Sequence, residues 1–354
     1  MSEKTTKKTT ILALDLGGSK MLSALVDVFE SADGDRKTEL RGVARRALTQ
    51  DAGRDGVWAA ILDAVAETFE RTGESWEAVD SIGATIPGVA DPSRGYWVYA
   101  PFSGIADFPL ADELRARFGK PVFADNDVNA CAWAEKVFGV CQAIDNFVWI
   151  TISNGIGGGL VLDGKVYAGK FSGAAEIGHF NVVEDGAPCG CGNRGCLEAT
   201  AAGPGIARRY RALIKDVFNG VDAASSELRG EWLRYLASTG ANASVEFELA
   251  QSATAATIAE EARRGNPLAV KVYDDTGRYV GRAASYAANL VNPEKIVIGG
   301  GVAGSFDLFY PALWETFERC LFKATNKALT IEKTELGYEA GLMGAAALAF
   351  SPYC

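Results

Sequence analysis

One short segment gathers most of the metal-binding side chains of this chain. In EIGHFNVVEDGAPCGCGNRGCLE (176–198), the single histidine of the 354-residue sequence, His179, is followed by three of the seven cysteines, Cys189, Cys191 and Cys196. Three thiolates and one imidazole are a common ligand set for structural zinc, and four protein ligands leave no open position for a catalytic water. The spacing therefore predicts a structural zinc site, and a chance cluster of cysteines is the alternative.

Two carboxylates, Glu176 and Glu198, flank the predicted zinc ligands. A zinc ion with four ligands does not need them, so they are free to bind something else, and a polyhydroxylated ligand requires several such acceptors. A zinc-dependent hydrolase is disfavoured because it needs an open metal position. A nucleic-acid zinc knuckle is disfavoured because the chain is acidic and the cluster lacks basic and aromatic neighbours.

Two aspartates lie where strands are predicted to end. Asp127 in DND (125–127) stands at a predicted helix start, with Asp125 or Asn126 as N-cap. Because a helix N-terminus stabilises a carboxylate, we expect Asp127 to be ionised and able to accept a hydroxyl proton, as in phosphoryl transfer. The spacing alone favours plain N-capping. Asp15 lies at the end of an apolar strand beside glycines, where a carboxylate can orient Mg²⁺ against phosphates; a turn carboxylate is the alternative.

Three glycine runs follow apolar strands: DLGGSK (15–20), SNGIGGG (153–159) and GGGVAG (299–304). Glycine lets the backbone approach a ligand closely and point its N–H groups at phosphate oxygens. A tight β-hairpin explains either of the first two equally well, and a strand-to-helix turn explains the third. None has the Rossmann or P-loop spacing. Three such turns in one chain nevertheless favour phosphate binding.

The elements that must position these residues alternate strands with helices, which predicts α/β layers. TTILALDLGGSKMLSALVDV and FVWITISNGIGGGLVLDGKVYAG share a strand–turn–strand pattern, which suggests an internal duplication. A helix is predicted at about 54–72, and a long one where Asn266 is the cap, Pro267 the first residue and Pro293 just past the end. Residues about 219–247 fit the pattern poorly and look like an insertion.

Composition excludes several classes of protein. Hydrophobic residues make up 48% of the chain, as in a folded globular protein. The net charge of −10 argues against a nucleic-acid partner and against an anionic membrane surface. No apolar run reaches the length of a membrane span, and no signal-peptide core follows the N-terminus. The odd number of cysteines and their tight spacing favour reduced thiols and a cytoplasmic protein.

The motifs DLGGSK, IPGVAD, DNDVNA, TISNGIGGG, EIGH, CGCGNRGCLE and KIVIGGGVAG stand in the order found in the ROK family of repressors, open reading frames and kinases. From about residue 10 to about 350 the sequence resembles that family, which belongs to the actin-like ATPases. The resemblance implies a two-lobed α/β, ribonuclease H-like fold with an interlobe cleft. It implies a small lobe of residues 1–123 with a C-terminal helix at about 341–354, and a large lobe of 124–340 carrying the zinc loop and the insertion.

The resemblance also implies roles for the motif residues. The nucleotide-binding residues would be Asp15, which faces Mg²⁺, with Gly17, Gly18, Ser19, Lys20, Asn154, Gly155, Gly157, Gly158, Gly300 and Gly301. Asp127 would be the catalytic base, and the sugar hydroxyls would be bound by Asn126, Asp127, Glu176, His179 and Glu198. His179 would place one ring nitrogen on zinc and the other toward the sugar. The zinc would then brace the loop and break no bond.

The implied activity is an ATP-dependent transfer to the 6-hydroxyl of a hexose, with Mg²⁺ and a structural Zn²⁺. Glucose is the first expectation because the single-histidine zinc motif resembles glucokinase members, and N-acetylmannosamine is the alternative. Repressors of the family carry a DNA-binding domain, whereas ten residues precede Ile11 here, so a sugar-binding regulator without kinase activity is the less favoured class. A cytoplasmic dimer or tetramer, without nucleic-acid or membrane partners, is expected.

Overall fold

The computed structural model describes residues 6–49, 52–100, 104–219, 224–322, 324 and 328–353. The strands are β1 (Lys7–Leu16), β2 (Lys20–Glu30), β3 (Arg36–Ala47), β4 (Ser81–Ile86), β5 (Val89–Asp91), β6 (Tyr96–Ala100), β7 (Ile105–Phe108), β8 (Val122–Asn126), β9 (Phe147–Ile152), β10 (Ile156–Leu162), β11 (Lys165–Val166), β12 (Lys295–Gly299) and β13 (Thr330–Lys333). The helices are α1 (Gly53–Thr72), α2 (Leu110–Phe118), α3 (Asp127–Val137), α4 (Leu197–Ala201), α5 (Gly203–Asn219), α6 (Ala224–Thr239), α7 (Ala243–Gln251), α8 (Ala255–Arg263), α9 (Pro267–Val291), α10 (Phe306–Cys320) and α11 (Ala340–Phe350).

The chain falls into two compact units. The first comprises residues 1–149, 159–175 and 334–354, and the second comprises 150–158 and 176–333. The predicted boundary between the lobes, at 123/124, differs from this division, because it assigns α3 to the large lobe and not to the first unit. Any side chain at Gly344 of α11 would lie within about 3 Å of Ala130 of α3, so these two helices pack closely inside that unit.

A five-stranded sheet of order β3-β2-β1-β4-β8 forms the centre of the first unit. Strand β1 pairs antiparallel with β2 and parallel with β4. Side chains alternate between the two faces of a strand, so Leu12 and Leu14 join the core with α1 and α2, while Ile11 and Ala13 join the core with α3 and α11. Burial on both faces explains the uninterrupted apolar run in the sequence.

The second five-stranded sheet has the order β11-β10-β9-β12-β13. Counted along the chain, both sheets place their strands in the order third, second, first, fourth, fifth. This common order agrees with the predicted internal duplication. A further three-stranded sheet, β5-β6-β7, belongs to the first unit.

Helices dominate the second unit. The long helix α9 begins as predicted, with Pro267 first and the Asn266 side chain accepting the N–H of Leu268 at 3.1 Å. The segment predicted as an insertion contains α6 and the first part of α7, and its residues 220–223 lie outside the described residues. In the part of the chain that the structure describes, none of the helices combines the length and apolar character that crossing a bilayer requires.

Candidate functional site

The first glycine turn is the hairpin that joins β1 to β2. The N–H of Gly17 donates to the carbonyl of Lys20 at 2.9 Å, and a Cβ on Gly17 would lie 2.7 Å from that carbonyl oxygen. Gly18 and Ser19 are exposed at its tip. The turn thus has the geometry of a tight hairpin, one of the two possibilities that the sequence left open, and its tip is exposed.

Asp15 ends β1 next to this turn. Its Oδ1 accepts the hydroxyl of Thr85 at 2.8 Å, and any side chain at Gly341 would overlap its carboxylate. Burial raises the pKa of Asp15, and Thr85 and Lys20 partly offset the effect. Thr85 was missed by the sequence analysis, although it is the one polar residue between apolar neighbours in SIGATI and pairs with Asp15 in the β1–β4 register.

Lys20 follows the turn and is held by an aromatic side chain. Its ammonium donates to the Tyr338 hydroxyl at 2.6 Å and lies 4.6 Å from the centre of that ring. The ammonium in turn lowers the pKa of Tyr338. A positive charge therefore stands in a defined position beside the exposed turn.

The junction of β8 and α3 carries the DND motif. Of the two predicted caps, the structure selects Asn126, whose Oδ1 accepts the N–H groups of Val128 at 2.9 Å and Asn129 at 3.3 Å. Its Nδ2 donates to the carbonyl of Gly88 at 2.8 Å. Asn126 thus caps the helix, and Asp127 is the first residue of the helix.

The pKa of Asp127 is higher than the helix start alone would make it. The pKa of Asp127 is raised to about 7: burial is the largest cause, and the neighbouring Asp15 carboxylate raises the pKa by more than the N–H of Val128 lowers it. That N–H does donate to Asp127 Oδ1, at 3.0 Å. Loss of hydration and repulsion between carboxylates therefore outweigh the helix N-terminus. A pKa near neutrality suits a carboxylate that accepts a proton.

In the second unit the four predicted zinc ligands come together. The ligand atoms of His179, Cys189, Cys191 and Cys196 all lie within 4.8 Å of one another. The sulfurs of Cys191 and Cys196 are 3.7 Å apart, and Cys189 Sγ lies 3.7 Å from His179 Nδ1. Tetrahedral zinc with bonds of about 2.3 Å to sulfur holds two sulfurs about 3.8 Å apart. The arrangement therefore fits such an ion.

The two flanking glutamates lie against this cluster. His179 turns Nδ1 toward the cysteines and Nε2 toward Glu176, whose Oε2 is 3.8 Å away. Glu198 accepts the N–H of Ile156 at 3.0 Å through Oε2. The histidine can thus serve a metal with one nitrogen and a hydroxyl with the other. The bond from Glu198 to Ile156 was not predicted.

The second and third glycine turns also lie in this unit. The carbonyl of Ser153 accepts the N–H of Gly203 at 2.8 Å, and a Cβ on Gly155 would lie 2.6 Å from Glu198 Oε2. Gly300 has a φ of +84°, and a Cβ there would lie 2.5 Å from the carbonyl oxygen of Ile152. These contacts bring together the glycine turn after β9, the glycine turn after β12 and Glu198. Asn154 is exposed within it, whereas Gly158 is buried.

Comparison with known proteins gives consistent results. The chain matches the ROK family over residues 11–351. The glucokinase of Thermotoga maritima is 31% identical over 345 residues, which are 96% of this chain and 97% of that protein. A solved ROK family glucokinase from Streptomyces griseus, in complex with glucose and AMPPNP, matches with a TM-score of 0.71 and 29% identity over 96% of this chain and 99% of that chain.

A regulator is similar as well. The structure of a ROK family transcriptional regulator, a homologue of the Escherichia coli MLC protein, matches with a TM-score of 0.77 and 30% identity over 96% of this chain and 77% of that chain. The α/β architecture with mixed sheets, expected from the order of the motifs, is the actin-like ATPase fold of these ROK structures. Because the family match extends over nearly all of the sequence, the chain belongs to the ROK family.

Proposed function

We propose that this protein is a sugar kinase that transfers the γ-phosphate of MgATP to the 6-hydroxyl of a hexose. The observation that carries the proposal is the position of Asp127, a carboxylate that begins α3 directly after the cap Asn126 and lies close enough to Asp15 for the two carboxylates to repel each other. It lies in the same unit as Asp15 and the exposed DLGGSK turn. Relatives named glucokinase, such as that of Thermotoga maritima, support the same activity.

In the proposed reaction Asp127 accepts the proton of the sugar hydroxyl. The sugar oxygen forms a bond to the γ-phosphorus, the bond from phosphorus to the β–γ bridging oxygen breaks, and ADP leaves. Such a reaction depends mainly on positioning and on neutralising charge. We assign the sugar hydroxyls to Asn126, Asp127, Glu176, His179 and Glu198. Asn126 keeps one amide N–H for this purpose, since its other amide N–H and its oxygen are bonded to the backbone. Glu198 uses Oε2 on the N–H of Ile156, and its Oε1 lies 3.9 Å from Cys189 Sγ beside the predicted zinc ligands.

We assign the nucleotide to the three glycine turns. The phosphates would be bound by Gly17, Gly18, Ser19, Lys20, Asn154, Gly155, Gly157 and Gly158, and the adenosine would lie beside Gly300 and Gly301. Asp15 fits a Mg²⁺ ion, because its carboxylate lies beside the exposed turn and repels that of Asp127, a repulsion that a cation would relieve. When bound, Mg²⁺ would neutralise phosphate charge, and Zn²⁺ on the three cysteines and His179 would brace the loop that carries the sugar-binding groups.

The proposed sugar is glucose, with N-acetylmannosamine as the alternative. The test is ADP formation from MgATP with glucose, mannose, N-acetylmannosamine, N-acetylglucosamine, fructose or allose. Turnover with one of these sugars and little without it would support the kinase and name its substrate. Absence of sugar-dependent ADP from folded protein with all six would count against the proposal.

A sugar-binding regulator is the second candidate, because the MLC homologue matches with the TM-score of 0.77. Calorimetric titration with the same sugars separates the two activities. A kinase binds its sugar and forms ADP when MgATP is added. A regulator binds its sugar and leaves MgATP intact.

A further inference from the structure

Asp125, the first aspartate of the DND motif, is fully buried, whereas Asn126 and Asp127 are partly exposed. Asp125 has 0% of its surface exposed and lies in β8, paired with Thr85 of β4. Its Oδ1 accepts the N–H of Asn126 at 2.6 Å, and its Oδ2 accepts the hydroxyl of Tyr353. A carboxylate removed from water depends on such donors. The orientation of Asp125 is therefore tied to these donors, to which the side chain of Asn129 adds a third.

Tyr353 is itself anchored to α3. It lies in the segment 351–353 that follows α11, and its ring packs edge-on against Trp133 of α3 with 5.0 Å between ring centres. The indole N–H of Trp133 donates to the carbonyl of Ser351 at 2.7 Å. The segment thus contacts the helix through Trp133 and the preceding strand through Asp125.

The contacts continue from Asp125 to the groups assigned to the reaction. The N–H of Asn126 binds the Asp125 carboxylate, and the Asn126 side chain binds Gly88 on one side and the first turn of α3 on the other. Asp127 is the next residue along the chain. A rotation of the Asp125 carboxylate would consequently shift the backbone that carries both Asn126 and Asp127.

We propose that Asp125 and Tyr353 are positioning residues: the Tyr353 hydroxyl orients the Asp125 carboxylate, which holds the β8–α3 junction so that Asp127 meets the sugar hydroxyl. The proposal rests on the proposed kinase function for the role of Asp127. Neither residue touches a substrate in it. Displacing a reacting group by about 1 Å can lower the rate by up to about 100-fold. Loss of the Asp125 contact with the β8–α3 junction should therefore lower kcat.

The first test is Tyr353→Phe, which keeps the ring against Trp133 and removes only the hydroxyl. We expect kcat with the preferred sugar to fall about tenfold, while the KM for ATP stays within about twofold because the nucleotide is assigned to other turns. The matched control is Tyr310→Phe on α10 in the second unit, which should keep the wild-type kcat. An unchanged kcat in Tyr353→Phe would overturn the proposal.

A pair of changes at Asp125 separates positioning from simple loss of packing. Asp125→Asn keeps an oxygen that can accept the N–H of Asn126, whereas Asp125→Ala keeps none. We expect Asp125→Asn to retain at least about tenfold more kcat than Asp125→Ala, with similar KM values for ATP. Equal kcat values in two folded variants would contradict a positioning role.

Hydrogen–deuterium exchange tests the same proposal without turnover. The amides of residues 126–130 should exchange faster in Tyr353→Phe than in the wild type, and those of α5 should not change. If the wild type forms no ADP with any sugar, the kinase proposal fails and the exchange result alone decides the positioning proposal. Unchanged exchange at 126–130 would then overturn it.

Discussion

The pKa of Asp127 is decided by a competition that the sequence shows only in part. The helix start, visible as DNDVNA, favours the ionised form. The opposing influences are burial and the Asp15 carboxylate, which reaches Asp127 from β1. Asp15 and Asp127 are far apart in sequence, and spacing alone cannot show that they approach each other. The same reason explains why Tyr353, the partner of Asp125, was not identified from the sequence.

Replacing Asp127 by asparagine should remove the proton acceptor and keep the shape of the site. We expect kcat to fall about 10²- to 10⁴-fold, while sugar affinity measured by calorimetry changes only a few-fold. Asp112→Asn, on the surface of α2, is the matched control and should keep full activity. Turnover near the wild-type rate in Asp127→Asn would remove Asp127 from the mechanism.

The raised pKa of Asp127 predicts a pH dependence. The protonated carboxyl cannot accept the hydroxyl proton, so kcat/KM for the sugar should fall as the pH drops below about 7. The slope should approach about tenfold per pH unit. The measurement is a pH profile over the range in which circular dichroism shows a folded protein. A flat profile down to about pH 5 would show that Asp127 keeps an ordinary pKa in the working enzyme.

Local rules predicted elements best where a cap and a proline act together. Asn266 and Pro267 fixed the start of α9, and Asn126 fixed the start of α3. The segment at about 219–247 was predicted to be an insertion without an assigned helix, yet Trp232 and Leu236 stand four apart and are 1% and 5% exposed. That spacing is a signal for one face of a helix. It was overlooked because the segment has no counterpart in the motif order.

The predicted zinc loop can be tested by replacing one of its cysteines. Cys191→Ser should lower the zinc content from about one ion per chain, because it removes one of four ligands. Sugar affinity should weaken at least about tenfold, since His179 and Glu198 lose their bracing. Cys320→Ser, at the end of α10, is the control and should keep its zinc. Unchanged sugar affinity in zinc-free Cys191→Ser would refute the bracing role.

The close packing of α11 on β4 predicts that the stability of the protein depends strongly on Gly83. A Cβ at Gly83 would overlap the carbonyl oxygen of Ala345, so Gly83→Ala should lower the free energy of unfolding by about 1–3 kcal/mol. Gly173→Ala is the control, because a Cβ there meets nothing within 4 Å. Urea denaturation measures both. Equal stability of the two variants would show that α11 does not pack so closely against β4.

For the whole molecule, the sequence predicted the fold class and the family, and the family resemblance implied that a C-terminal helix joins the N-terminal residues, as α11 does. Strands, turns and motif order are local, and they led to the α/β architecture and the repeated hairpin. The place of α11 depends on contacts such as Gly83 with Ala345 and Gly344 with Ala130. These contacts join the end of the described chain to its first half, and the individual contacts cannot be derived from any local sequence pattern.

Membership in the ROK family does not by itself decide the activity, because its members include glucokinases and transcriptional regulators. A fold can carry several functions, so the assignment must come from the site. In this chain, Asp127, Asp15 and the turn beside them are the features on which the proposed kinase activity depends.

The most direct measurement is the position of phosphate on the product. Protein, MgATP and glucose are incubated, and ³¹P and ¹³C NMR identify the sugar phosphate, with 6-deoxyglucose and the Asp127→Asn variant in parallel. The account predicts phosphate on carbon 6 of glucose, none on 6-deoxyglucose and a rate reduced by about 10²-fold or more in Asp127→Asn. Phosphate on another carbon, or equal product from Asp127→Asn, would contradict it.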